Sequence, residues 1–298
     1  MTSLPTLFLS HGSPMHALEP GAAGATWAGL ARDLPRPRAI LIVSAHWETN
    51  LPMLTGHASP GTIHDFTGFP EPLYRLRYRA PGAPWLAGRA RALLEEAGVT
   101  AAIDGCRGLD HGAWSPLLHM YPAAEVPVVQ LSLQTALGPR HHYQIGRALA
   151  PLSAEGILLL GSGHMTHNLA DWMRSAPGAP PAPYVLAFQS WVNSCIASGD
   201  LESLLEYRLR APHAVRAHPT DEHFLPLFFA LGAAGGSRRS QRVHAAIEGG
   251  ALAMDAYVFE PAVARTSRSR TPAHSGDSGG ASTRMLSHPA SSSSRSAA

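Results

Sequence analysis

The sequence predicts one α/β domain over residues 1–262: a central mixed sheet flanked by helices, with a metal site at the C-terminal ends of its strands. Three observations carry that prediction. Short apolar, partly β-branched runs alternate with segments of helical period, the pattern of a sheet covered on both faces. A chain of 298 residues with 45% hydrophobic and 15% charged residues can bury a sizeable core, as one large domain or two fused lobes, and is not mainly disordered. Histidines then follow several of the apolar runs directly, at the sheet edge where open α/β folds bind ligands.

Taken in order, Thr6–Ser10 and Ala39–Ser44 read as buried strands, and Leu73–Tyr78 as a further strand because apolar and Arg residues alternate in it. Pro84–Ala97 reads as a helix. Pro84 suits its first turn, Leu86, Ala90, Leu93 and Ala97 share one face, and Gly98 supplies the stop. Val128–Leu133 and Ile157–Leu160 are again buried strands, separated by a helix over roughly 141–152. Pro183–Ser198, Leu201–Arg208 and Phe224–Leu231 are expected as helices. Arg242–Ile247 and Ala251–Phe259 are expected to close the sheet, as a hairpin across Gly249 and Gly250. Residues 263–298 are low in complexity and rich in Ser and Arg, the composition of a disordered tail.

Composition excludes several chemistries. All 23 basic residues are Arg, so Schiff-base catalysis and a P-loop lack their lysine. Arg265, Arg268, Arg270, Arg284 and Arg295 against Asp277 give residues 265–298 a net charge of +4. With +2 on the whole chain, the body carries −2, and no nucleic-acid-binding surface is implied. Cys106 and Cys195 stand far apart and outside any CxxC spacing, which fits a reducing cytosol. The N-terminus lacks the pattern of a signal peptide, and no run approaches the ~18 apolar residues of a membrane span. The expectation is a cytoplasmic protein without nucleic-acid or membrane partners.

Five of the 17 histidines sit just past apolar runs or in tight polar turns: His11, His46, His111, His167 and His223. Imidazole is the commonest nitrogen ligand for a borderline metal and titrates, when unperturbed, near neutral pH. His11 and His46 occupy equivalent places after different strands. In HPTDEHFLPL, Glu222 and His223 are neighbours, so one of them is expected to face the site, with His223 favoured. His164 and His167 in GSGHMTHNL lie three apart, and the Gly-Ser-Gly before them reads as a strand-to-turn transition. His111 stands in a Gly-flanked loop before a helix, placed to act as a donor or proton carrier. No H-E-x-x-H or H-x-x-E-H occurs, which argues against a zincin, and the run around Ser162 is not G-x-S-x-G, which argues against that serine as a nucleophile.

The segments LSHGSPM, SAHWET, HDFTGFPEPLY, LDHGAWSPL, GSGHMTHNL, HPTDEHFLPL and MDAYVF, in this order over residues 4–260, resemble the class III extradiol ring-cleavage dioxygenases, and within them the DOPA-dioxygenase-like branch. That resemblance implies a single α/β domain of the protocatechuate-dioxygenase β-subunit type. It implies one divalent metal ion per subunit, Fe(II) for dioxygenase activity or Zn(II) as isolated, with O2 as cosubstrate. A small catecholic substrate would be cleaved next to its hydroxyls to a muconic semialdehyde. Carried over by position, His11, His46 and His223 hold the metal, His167 performs acid–base chemistry near working pH, and His111 contacts substrate. The wider superfamily uses a carboxylate as third ligand, whereas an all-His face suits zinc as well as iron. A zinc hydrolase using the same site, or a non-catalytic binding protein on this fold, are the competing readings. His164 has no role in this scheme, and no oligomeric state is implied.

Overall fold

The computed structural model describes residues 3–176, 178–235 and 239–261; the expected Ser/Arg-rich tail over 263–298 lies outside them. In the first half, β1 (Thr6–Ser10) is followed by α1 (Gly21–Asp33), β2 (Ala39–Glu48), β3 (Met53–Thr55), α2 (Glu71–Arg75), α3 (Pro84–Glu96), β4 (Ala102–Asp104) and α4 (His111–Met120). In the second half come β5 (Val128–Leu133), α5 (Gly138–Leu149), β6 (Ile157–Gly163), α6 (Leu169–Arg174) and α7 (Pro183–Ser198). Short helices α8 (Leu201–Leu205), α9 (Tyr207–Arg210) and α10 (Ala214–Ala217) precede α11 (Leu225–Ala233). The chain ends through β7 (Ser240–His244), β8 (Ile247–Glu248), β9 (Leu252–Ala253) and β10 (Ala256–Phe259).

Eight strands form one sheet in the order β4-β3-β5-β2-β6-β1-β10-β7. Its centre, β5-β2-β6-β1, is parallel, and β10 and β7 extend it antiparallel, so the sheet is mixed as the sequence predicts. The central strands are buried on both faces, which is why they read as continuous apolar runs. Alternate residues feed two cores. Phe8, Leu41, Val43 and Leu159 pack under the layer of α3, α5, α7 and α11, with Leu86, Leu149, Phe188 and Phe228. Leu7, Leu9, Ile40, Ile42 and Leu160 pack with Trp27 of α1 and Trp114 of α4 on the other face.

Four expectations are corrected. Leu73–Tyr78 is not a strand: Pro70 and Pro72 open a short helix, an ion pair joins Glu71 to Arg75 one turn on, and extended chain follows. The alternation arises because Leu73 and Tyr78 are buried while the Arg side chains between them are not. The helix expected over Leu201–Arg208 breaks at Glu206 into α8 and α9. The C-terminal hairpin is built differently, since β10 pairs with β7, and Gly249 and Gly250 turn a separate two-stranded ribbon of β8 and β9. His111 is not in a loop but is the first residue of α4, whose N-cap Asp110 accepts from the Ala113 N–H. Two strands also run further than expected: β2 carries on through His46 to Glu48, and β6 through Gly163.

Candidate metal centre and its cavity

The parallel strands deliver histidines to one edge of the sheet. His11 follows β1, with its backbone N–H donating to the Gly163 carbonyl at 3.0 Å. His46 is near the C-terminal end of β2, and His164 and His167 follow β6. His223 comes from the turn before α11, and Gly163 lets that turn settle onto the sheet. A Cβ at Gly163 would overlap the His223 carbonyl, which accepts from the His164 N–H at 2.7 Å. The Gly-Ser-Gly run is therefore a landing surface for the His223 turn as well as the end of a strand.

Nitrogen atoms of His11, His46 and His223 come together within 4.8 Å of one another. Each ring is held by its Nδ1. That of His11 donates to the Ser162 hydroxyl at 3.0 Å, because this hydroxyl already donates to the Gly112 carbonyl. That of His46 lies 3.4 Å from Asp65 Oδ2, and that of His223 lies 2.8 Å from Glu222 Oε1. With the protons on Nδ1, three Nε2 lone pairs are left facing one point. The Nε2 atoms of His11 and His46 are 3.0 Å apart, and that of His223 is buried without a partner. Two lone pairs at that distance and a buried orphan acceptor are the environment a bound cation would satisfy. The donor set, three neutral imidazoles each oriented by a second group, fits a divalent transition metal. Glu222 Oε1, which meets the His223 Nδ1, also accepts from the Thr220 hydroxyl at 3.0 Å, and His167, Glu222 and His223 form a second group of donor atoms within 4.8 Å of one another.

Electrostatics keep these rings in their ligating form. Burial, and then the neighbouring imidazoles, hold His11 and His223 well below the ordinary histidine value. Burial and His111 bring His46 down to about 3. His167 stacks on His223 with ring centroids 3.4 Å apart, and burial, followed by His46 and His111, lowers it to about 4. The expectation that His167 titrates near working pH is thus corrected: at neutral pH it is a neutral acceptor. His111 is buried, 4.1 Å from the His46 ring between centroids, with Nδ1 donating to Asp65 Oδ2 at 2.9 Å. Burial pushes Asp65 up, but the hydrogen bond and charge of His111 outweigh it and hold the carboxyl at about 2.

All five predicted histidines line one cavity of about 310 Å³, at the lower end of the ~300–1,000 Å³ range of small-molecule sites. His164 joins them, its backbone at β6 and its Nδ1 buried without a partner. Asp65, Phe66, Phe69, Leu169 and Trp172 are among the lining residues that had no assigned part in the sequence reading. The signal for the first three was the loop HDFTGFP, where a carboxylate and two aromatics sit among Gly and Pro turn formers. Ser162, unpromising as a nucleophile, orients His11 instead. Of the remaining histidines, His16 is bonded to Glu248, and His142 and His218 are buried with backbone partners.

Residues 5–253 match the family model described as the catalytic LigB subunit of aromatic ring-opening dioxygenase. The chain is 42% identical over 263 residues to a 4,5-DOPA dioxygenase extradiol of Beta vulgaris, covering 85% of this chain and 96% of that one. It is 41% identical over 256 residues to a protein of the same name from Escherichia coli K12, covering 85% and 93%. A crystal structure of the uncharacterized protein JW3007 from Escherichia coli K12 aligns with a TM-score of 0.73 at 35% identity, covering 86% of this chain and 99% of that one.

Proposed function

We propose, since this chain belongs to the LigB family of aromatic ring-opening dioxygenases, that it opens a catechol bearing a small, DOPA-like side chain to a hydroxymuconic semialdehyde, with O2 as cosubstrate. The observation that supports this reading is the convergence of three Nε2 lone pairs, from His11, His46 and His223, on a cavity of small-aromatic size. These three residues would hold the metal. When bound, Fe(II) would supply the Lewis-acid and redox chemistry that joins a catechol to O2, whereas Zn(II), the competing occupant, would supply Lewis acidity alone.

The protein's own groups do the rest. His167, neutral at working pH, accepts a phenolic proton as the catechol binds and returns it as the ring opens. His111, fixed by Asp65 through both its backbone N–H and its ring, contacts the substrate from the side of His46. Phe66 and Phe69 offer ring surfaces to the catechol and, with Leu169 and Leu252, exclude water from the reacting face. No helix among the described residues is long and apolar enough to cross a membrane. Free Cys106, which is exposed, and free Cys195 accord with a reducing cytosol as the working compartment.

The test is anaerobic reconstitution with Fe(II), followed by L-DOPA, caffeate or protocatechuate in air. A yellow semialdehyde with stoichiometric oxygen uptake is expected. Absence of uptake across a broad catechol panel refutes the reading.

A further inference from the structure

The histidines occupy the floor of the cavity, so a bound catechol turns its oxygens toward them and its side chain toward the wall. That wall is aromatic. Phe66 and Phe69 meet edge to face with centroids 5.3 Å apart, and Phe66 also packs edge-on against His111. Trp172, 40% exposed, contributes to the lining together with Leu169 and Leu252. Its indole is fixed by the turn of the β8–β9 ribbon, since a Cβ at Gly249 would overlap the ring. Among the described lining residues Asp65 carries the formal charge, and it precedes Phe66 directly in the chain. Arg174 and Arg216, the cations associated with α6, both pair with Asp171.

An ammonium group is drawn to the faces of aromatic rings and to a carboxylate. A carboxylate placed against the same wall is stripped of water, finds no cation there, and is repelled by Asp65. Asp65 has room for such a partner. Its Oδ2 takes the His111 Nδ1–H and faces the His46 Nδ1–H at 3.4 Å, while its Oδ1 takes only the His111 backbone N–H, which leaves a lone pair on Oδ1. We propose that the cavity reads the charge of the catechol's side chain, selecting one that bears an ammonium group, seated on Phe66, Phe69 and Trp172 and paired with Asp65, over one that bears a carboxylate. This rests on the ring-opening reading and sharpens its substrate class.

The Fe(II)-loaded enzyme is assayed with dopamine, 4-methylcatechol and 3-(3,4-dihydroxyphenyl)propionate, which share one ring substitution pattern and differ in side-chain charge. The expected kcat/KM for dopamine exceeds that for the propionate by about tenfold or more, with 4-methylcatechol between them. Anaerobic titration of the same enzyme gives the three dissociation constants without turnover and is expected to rank them identically. A Leu169→Arg variant, which adds a cation at the wall, is expected to narrow the preference by raising kcat/KM for the propionate. Equal or better use of the propionate by the unaltered enzyme overturns the proposal. If no catechol is opened at all, the ring-opening reading fails, and the anaerobic ranking alone still decides whether the wall prefers the ammonium.

Discussion

Replacing Ser162 with alanine isolates the group that orients the His11 ring in the proposed metal site. The hydroxyl accepts the His11 Nδ1–H at 3.0 Å and donates to the Gly112 carbonyl, with His11 1% and Ser162 0% exposed. Water cannot take its place, so the ring keeps a buried N–H without an acceptor, at about 1–3 kcal/mol. In a domain of this size that is roughly 2–4 °C of melting temperature per kcal/mol. The ring escapes this only by moving its proton to Nε2, which then points at His46 Nε2 3.0 Å away and cannot ligate. Either way metal affinity is expected to fall, by about 10–100-fold. The assay is competition for Zn(II) against a chromophoric chelator, with thermal melts of the metal-free protein alongside. Ser132→Ala is the reference: it removes an equally buried hydroxyl bonded to Thr49, Met53 and Gln134 and to no site histidine. The reasoning is refuted if S162A melts lower, as S132A does, yet binds Zn(II) with unchanged affinity.

His167→Ala is expected to abolish oxygen uptake while retaining most metal affinity, whereas His11→Ala loses both; equal metal loss in the two variants, read by metal analysis, would make His167 a ligand. Gly163→Ala is expected to push the His223 carbonyl off β6 and weaken metal binding more than it lowers the melting temperature of the metal-free protein, checked by the same competition titration. Acid stability follows from His142, a buried ring lowered to about 4 mainly by burial, with Nδ1 donating to Gly138 O and Nε2 accepting from the Gln134 N–H. Below its unfolded value near 6.5 the unfolded chain takes up a proton that the folded ring refuses until about pH 4. Its contribution is therefore complete above pH 7 and falls by about 2 kcal/mol by pH 5. Urea unfolding of the metal-free protein should show the pH 7-to-5 loss shrinking by about that amount in His142→Gln, and an unchanged slope refutes it.

The fold was legible in sequence wherever burial was two-sided. The runs at β1, β2, β5 and β6 are apolar on successive residues because both faces of the central strands are covered. Strand β4, three residues at the sheet edge, lacks a two-sided core and carries no such signature. Leu73–Tyr78 failed for the opposite reason: its alternation is genuine, but it records one-sided contact along a short helix and the extended chain after it, which period alone cannot separate from a strand. The positions of His11, just past β1, and His46, near the C-terminal end of β2, were readable because the end of a parallel strand lies at one sheet edge.

What sequence could not supply was the direction in which each ring points. That direction depends on partners remote in the chain: Ser162 lies 151 residues from His11, and Asp65 lies 46 residues from the His111 it fixes. Glu222 is the exception, adjacent to His223, and it was accordingly visible as a rival ligand. In the structure its carboxylate meets the His223 Nδ1 at 2.8 Å, so in the proposed site the two candidates act as one device, a ligand and the group that aims it. The same arrangement recurs three times with different acceptors: a hydroxyl, an aspartate shared with His111, and a glutamate. A neutral acceptor behind one ring and carboxylates behind the other two make the ligands unequal donors, for a carboxylate raises the basicity of the imidazole it holds. In the proposed ligand set His46 and His223 would thus be the stronger donors and His11 the weaker, so Ser162→Asp, rather than any change at Glu222, is the substitution that would test whether the site gains from a third carboxylate.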